Sequence, residues 1–355
     1  MSRFLQLHLL TSYPPANLNR DDLGRPKTAK MGGTDRLRVS SQSLKRSWKT
    51  SELFERALGN HIGTRTKRMG YDAAKKFSEN GIKEKDAVLW GKEIASAFAD
   101  TEGKDKTNAY KETILKQPVH LSRDEYNAVQ ELVSALLSEK RAPKTEELNL
   151  LRENSHCVDI AMFGRMLAVK GKQHFGQEAA CQVAHAISVH PVTIEDDYFT
   201  AVDDLNDGSE DAGAAHIGET GFAAGLFYSY ICINKELLVE NLNSDIELAN
   251  KAIAALTEAA VKVSPQGKQN SFGSRAYASY VLAEKGDQQP RSLSVAFLKP
   301  VNKYAEDYAT EAVQALEKQR DNFNRVYGDC ADVYSSLNAI TGEGSLQELL
   351  AFVAE

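Results

Sequence analysis

The chain has 355 residues, 42% hydrophobic and 26% charged, and a formal net charge of −6. That balance argues against a disordered, collagen-like or membrane protein, and no run approaches the roughly 18 apolar residues that a helical bilayer span needs. A mildly acidic total also argues against nucleic acid, whose binding domains are usually basic, but net charge hides how charge is distributed.

In chain order, residues 3–11 alternate polar positions with Phe4, Leu5, Leu7, Leu9 and Leu10, which predicts a half-buried strand. Residues 12–35 carry Pro14, Pro15, Gly24, Pro26, Gly32 and Gly33 with no clear period. They read as a long loop, and loops of that length are usually functional or disordered. Leu37-Arg38-Val39 reads as a short strand leading into a helix at 41–58. Residues 70–150 read as a mostly helical, polar insertion, with apolar spacing near 3.6 at 86–98 and 123–137. Strands are expected at 157–163, 181–189, 222–233, 275–282 and 293–297, and helices at 244–262, 306–326 and 345–354. Short strands and helices in mixed order predict an α+β fold with insertions.

The N-terminus is too polar and too short for a signal peptide. Cys157, Cys181, Cys232 and Cys330 are far apart and form no C-x-x-C pair. Reduced, buried thiols in a cytoplasmic protein are expected.

Residues 1–76 hold 16 Lys or Arg against 6 Asp or Glu, a net of +10, which leaves −16 on the rest. Residues 173–234 contain no Lys or Arg and ten acids, among them Asp196, Asp203, Asp204 and Glu219. Such polarisation points to a polyanion partner at the basic end.

The most informative segment is Val39-Ser40-Ser41-Gln42-Ser43-Leu44-Lys45-Arg46-Ser47-Trp48-Lys49. Ser40 or Ser41 suits an N-cap. With Leu44 at zero on a helical wheel, Leu44, Trp48, Ser51, Phe54 and Leu58 fall in one arc, from about −80° to about +40°. Gln42, Lys45, Arg46 and Lys49 lie opposite, and Leu53 intrudes among them. The first turn holds no acid, although the helix dipole favours one there. Serine hydroxyls, free N–H groups and flanking cations (Arg20, Arg25, Lys27, Lys30, Arg36, Arg38) suit a phosphate instead.

Catalytic patterns are not met. There is no P-loop and no G-x-S-x-G elbow. His185 and His190 are five apart, which fits neither an H-E-x-x-H helix nor the usual zinc spacing. The Asp203-Asp204 pair could bind Mg²⁺, but adjacent loop acids are more often solvated or paired. Asp21, Asp22 and Asp35 sit beside the basic loop and keep a nuclease open as the minority reading. No catalytic residue, metal or cofactor is expected.

At Asn17-Leu18-Asn19-Arg20-Asp21-Asp22, Gly32-Gly33 and Arg38-Val39-Ser40-Ser41-Gln42-Ser43-Leu44-Lys45-Arg46 the chain resembles the CasC-type backbone subunit of Cascade, the CRISPR type I-E surveillance complex. The resemblance continues at Val158-Asp159-Ile160-Ala161, Gly164-Arg165-Met166, Ala184-His185-Ala186-Ile187, Phe199-Thr200-Ala201-Val202-Asp203-Asp204-Leu205, Ala215-His216-Ile217-Gly218 and Gly225-Leu226-Phe227-Tyr228. It is weak over 60–150 and beyond about 265.

This resemblance implies a hand-shaped α+β protein. A modified RRM-like (ferredoxin-like) palm would span 1–59, 151–189 and 226–355, helical fingers 60–150, and a hairpin-like thumb 190–225. It implies a non-catalytic subunit that polymerises head to tail along a CRISPR RNA. Other Cascade subunits and the target DNA strand paired to the guide are its further partners, and no membrane is involved. Positions that match RNA-binding ones are Arg20, Lys27, Ser40, Gln42, Lys45, Arg46, Lys49 and Arg165, with Met166 as an apolar wedge against bases and Phe199, Thr200 and Ile217 on the thumb. Lys140, Arg141 and Lys144 match a finger patch toward duplex DNA. The alternative is an RNA-cleaving type III-like backbone subunit that uses a loop aspartate. The acidic thumb segment is expected to dock on a basic neighbouring copy.

Overall fold

The computed structural model describes residues 2–153, 155–167, 173–201, 216–302 and 304–355. The strands are β1 (Phe4–Ala16), β2 (Thr28–Met31), β3 (Thr34–Val39), β4 (Thr64–Thr66), β5 (Val119–Leu121), β6 (Cys181–Val183), β7 (Ala186–Ser188), β8 (Glu195–Ala201), β9 (His216–Asn234), β10 (Ala278–Gly286) and β11 (Val333–Asn338). The α-helices are α1 (Ser41–Lys49), α2 (Glu52–Leu58), α3 (Met69–Glu79), α4 (Glu84–Ser96), α5 (Arg123–Glu139), α6 (Val158–Phe163), α7 (Lys235–Asn241), α8 (Ile246–Lys262), α9 (Gln269–Phe272), α10 (Tyr308–Tyr327) and α11 (Leu346–Ala354). They form two compact units, one of residues 1–55, 182–233 and 253–355 and one of 56–181 and 234–252.

The first unit is built on a sheet ordered β11-β10-β1-β9-β7-β3-β2. Its core strands follow the β-α-β-β-α-β order β1, α1, β7, β9, α8, β10. The last of them lies beside β1, and β9 lies between β1 and β7, which is the ferredoxin-like arrangement. The expected α+β fold with an RRM-like sheet is therefore present. One face packs Leu10, Tyr228, Tyr280 and Leu282 against Leu293, Phe297, Val313 and Leu316 of the C-terminal segment.

β1 is not half-buried as its alternation predicts. Leu5 to Leu10 are all buried, Gln6 and His8 included. Gln6 accepts from the Tyr230 hydroxyl (2.9 Å) and the Arg291 N–H (2.8 Å), which satisfies it inside the sheet.

The second unit is mainly helical. Phe77 of α3 meets Trp90 of α4 edge-on at 5.3 Å, over a core that includes Ile94, Phe98, Val133 and Leu136. α3 and α4 cross at Gly70 and Gly91, where a Cβ on Gly70 would lie 2.5 Å from the Gly91 carbonyl oxygen. α5 begins with a capping box, Ser122 and Glu125 each accepting the other's backbone N–H.

Four local expectations are corrected. Residues 12–35 are not one loop, because β1 runs to Ala16 and β2–β3 form a hairpin turning at Gly32-Gly33. The expected helix at 41–58 is two helices broken at Thr50-Ser51. There the Ser51 hydroxyl donates to the Trp48 carbonyl (2.7 Å) and accepts from the Phe54 N–H (3.3 Å). The expected strand at 157–163 is α6, since a short continuous apolar run does not distinguish a buried strand from a buried helix. The expected strand at 293–297 is a single 3₁₀ turn. All four cysteines are buried, as expected.

Candidate nucleic-acid interface

In the sheet unit, β3 delivers the chain directly into α1. Ser40 is extended (φ −68°, ψ 145°), and its hydroxyl accepts from the Ser43 N–H at 3.2 Å. The Ser40 N–H donates to Asn19 Oδ1 (2.9 Å) and the Ser41 N–H to His185 Nδ1 (2.9 Å). The preceding loop is tied to the same point. The Lys27 N–H donates to the Asn19 carbonyl and the Arg38 N–H to the Lys27 carbonyl, both at 2.8 Å. Arg38, Lys27 and the start of α1 are thereby gathered in one place.

α1 carries no acid in its first turn and has Arg46 and Lys49 in its last. Leu44, Ser47 and Trp48 are buried. Gln42 and Arg46 are exposed, and Lys45 and Lys49 are half-buried. The two-faced helix read from the sequence is present. The break after Lys49 also removes the intrusion of Leu53, which belongs to α2.

Sequence reasoning did not name Asn19 or His185 as site residues, although both lie in motifs that carry the resemblance. Partial burial, and then the charges of Arg38 and Lys27, push the His185 pKa down. With Nδ1 accepting from Ser41, a neutral His185 carries its proton on Nε2.

Not every basic residue near the loop is available. Arg36 is fully buried, donating to Thr34 Oγ1, the Ser188 carbonyl and the Phe297 carbonyl. It holds the sheet together and does not belong with the surface cations. Arg25 pairs with Asp196 of β8 at 2.9 Å. Arg20 is exposed and lines a crevice of about 420 Å³ with Asp21, Arg25, Asp196, Glu219 and Lys268. The Asp21 carboxylate accepts from the N–H groups of Leu23 and Arg25, both at 2.9 Å, and so shapes the turn.

The β8–β9 hairpin places Phe199 opposite Gly218 and Thr200 opposite Ile217, so the three expected thumb residues are brought together. The Phe199 ring covers Gly218, where a Cβ would fall 2.4 Å from ring Cζ. Tyr198, Phe199 and Thr200 are exposed. Asp203 and Asp204 lie outside the described residues.

In the helical unit, Met166 is 90% exposed, between buried Arg165 and buried Leu167. Arg165, expected as an RNA contact, is not a surface cation, because its guanidinium is buried and wholly engaged. Nη1 donates to Glu125 (2.7 Å) and the His120 carbonyl (3.3 Å), Nη2 to the Arg152 (3.1 Å) and Phe175 (3.0 Å) carbonyls, and Nε to the Phe175 carbonyl (3.2 Å). Lys140 and Lys144 are exposed. Arg141 is bound to Glu139 and bidentate to Glu147. The Arg141 hydrogen bonds hold the Glu147 pKa down at about 2.

An RRM-like sheet with a cation-bearing helix at the end of one of its strands places the chain among α+β proteins built on the ferredoxin-like core. A sequence model of the CT1975-like protein family matches residues 5–350, and the chain belongs to that family. Among solved structures, it is similar to a chain described as a CRISPR RNA-guided surveillance complex, pre-nicking, with 29% identity, 99% of each chain covered and a TM-score of 0.83. It shares the fold of a second, described as a CRISPR RNA-guided surveillance complex, at 23% identity, 99% of each chain and a TM-score of 0.73. No protein of curated function matches the chain.

Proposed function

We propose that the chain is a non-catalytic backbone subunit of a CRISPR RNA-guided surveillance complex of the Cascade I-E type, polymerising head to tail along its guide RNA in the cytoplasm. The start of α1 is the observation that carries this reading. A capped, acid-free helix N-terminus beside Lys27 and Arg38, on a helix that carries Lys45, Arg46 and Lys49 along its length, is suited to phosphate and blind to base identity. A subunit that must accept any guide needs contacts of that kind, with sequence left to base pairing with target DNA. Arg20, Ser40 and Gln42 join this phosphate grip. Met166 serves as the apolar wedge that interrupts base stacking, and Phe199, Thr200 and Ile217 serve as the hairpin's contacts. The similarity to chains of surveillance complexes over nearly the whole length supports the assignment.

In this reading residues 1–59, 151–189 and 226–355 act as palm, 60–150 as fingers and 190–225 as thumb, with Lys140 and Lys144 toward duplex DNA. The acidic character of the thumb segment suits docking on the basic surface of the next copy. Asp196 already serves a basic residue of its own chain, Arg25.

Electron microscopy of the chain co-expressed with a CRISPR RNA and the other subunits tests the proposal. Guide-dependent regular assemblies are expected, and RNA-free monomers under those conditions would refute it. Cleavage of a target RNA that is lost on changing Asp22 or Asp35 would favour the type III-like alternative.

A further inference from the structure

Met166 is an apolar side chain held in solvent by a heavily built support. Gly164 ends α6 at φ +80°, and a Cβ there would lie 3.1 Å from the Gln177 carbonyl oxygen, so the turn admits no larger residue without strain. Arg165 then pairs with Gln177 through two backbone hydrogen bonds of 2.9 and 2.8 Å. Its guanidinium spans Glu125 and the carbonyls of His120, Arg152 and Phe175, and Leu167 sinks into the helical core. Met166 thus stands between two buried anchors.

A buried ion pair is weak evidence of stabilisation, since apolar residues of similar volume often do as well. A planar guanidinium joining four acceptors on three stretches of chain does something no apolar residue can, which is to fix the direction of the backbone it stands on. Methionine is flexible and adaptable, so an exposed one acts at a defined place only if its backbone is fixed.

We propose that Arg165 and Glu125 are positioning residues for Met166, holding it at the height and angle at which it separates guide bases. Neither touches RNA. The inference rests on the wedge reading of Met166 proposed above.

The test uses the chain assembled on synthetic guide RNAs carrying 2-aminopurine at successive positions, whose fluorescence rises where a base is unstacked. Wild type should show a periodic signal. Met166→Ala should lose most of it, and Arg165→Lys, which keeps the charge but cannot span the four acceptors, should lose at least half. RNA retention by Arg165→Lys should stay within about twofold of wild type. A purely structural role would lower the melting temperature and leave the periodicity intact. Full periodicity in Arg165→Lys with the signal lost in Met166→Ala would overturn this inference alone. Full periodicity in Met166→Ala would overturn the wedge reading and this inference with it. If Arg165→Lys does not fold, isosteric Glu125→Gln is read by the same signal and the same criteria.

Discussion

His8 Nε2 lies 3.2 Å from Glu284 Oε2, both side chains fully buried within the sheet unit. The Tyr228 hydroxyl accepts from the Leu293 N–H (3.0 Å) and faces His8 Nδ1 (2.9 Å); the Glu284 carboxylate can only accept, so a neutral imidazole carries its proton on Nε2. Arg291 and Arg320 complete the cluster around the carboxylate. Burial pushes the His8 pKa below 6.5 against the pull of Glu284. Burial alone would raise Glu284, but hydrogen bonds from His8 and Arg291 hold it well below the usual carboxylate range.

Both shifts make stability fall with acidification. Below about pH 6.5 the unfolded chain binds a proton at His8 that the folded chain refuses, at a cost of about 1.4 kcal/mol per pH unit. Below about pH 4.5 the unfolded chain also binds one at Glu284, and that carboxylate's contribution is lost as pH falls toward its depressed folded value. Urea midpoints measured from pH 7.5 to 5 should fall for wild type and flatten for His8→Gln. An equal slope in the two proteins would refute the assignment.

At the start of α1 two effects separate. Ser40→Ala removes a cap and should cost about 1 kcal/mol of stability. Lys45→Ala combined with Lys49→Ala should leave the melting temperature nearly unchanged. It should weaken RNA retention alike for unrelated guides and reduce the slope of log affinity against log salt by about one for each cation lost. A guide-dependent effect would contradict phosphate binding.

Arg36 and Arg25 should behave oppositely although both belong to the basic N-terminal stretch. Arg36→Ala takes the donor from the Ser188 and Phe297 carbonyls and opens a cavity, so a loss of about 3 kcal/mol or more is expected. Arg25→Ala breaks an ion pair whose side chains are 48% and 42% exposed, and denaturant titration should register less than about 1 kcal/mol.

The β2–β3 turn offers a backbone contrast. Gly32 has φ +61°, and a Cβ on it would lie 1.7 Å from the Leu298 carbonyl oxygen; Gly33 has φ +78° with open space around it. Gly33→Ala should cost about 1 kcal/mol through conformation alone. Gly32→Ala should cost clearly more, because the hairpin must leave Leu298. Comparable thermal shifts would show that the hairpin does not rest there.

Much of the interface was legible because it depends on local chemistry. Ser40 as cap, the missing acid in the first turn and the opposed faces of α1 follow from spacing within a single helix. What failed were judgements about burial. Arg36 and Arg165 are the same residue type as the surface cations and stand among them in the sequence. Their partners Ser188 and Glu125 lie 152 and 40 residues away, and no local pattern reveals such pairings. α6 was misread for the same reason, because apolar residues on every side lack the periodicity that separates helix from strand.

The sequence by itself determined the α+β class, the division of charge into a basic start and an acidic remainder, and the capped, acid-free, two-faced helix α1. Each of these is a property of composition or of neighbours within a turn or two. Only the tertiary structure decided which cations reach solvent, that Asn19, Lys27 and His185 converge on the first turn of α1, and that Met166 stands exposed between two buried anchors. Those outcomes depend on contacts between distant segments, where burying a charge requires a partner that only the folded chain supplies.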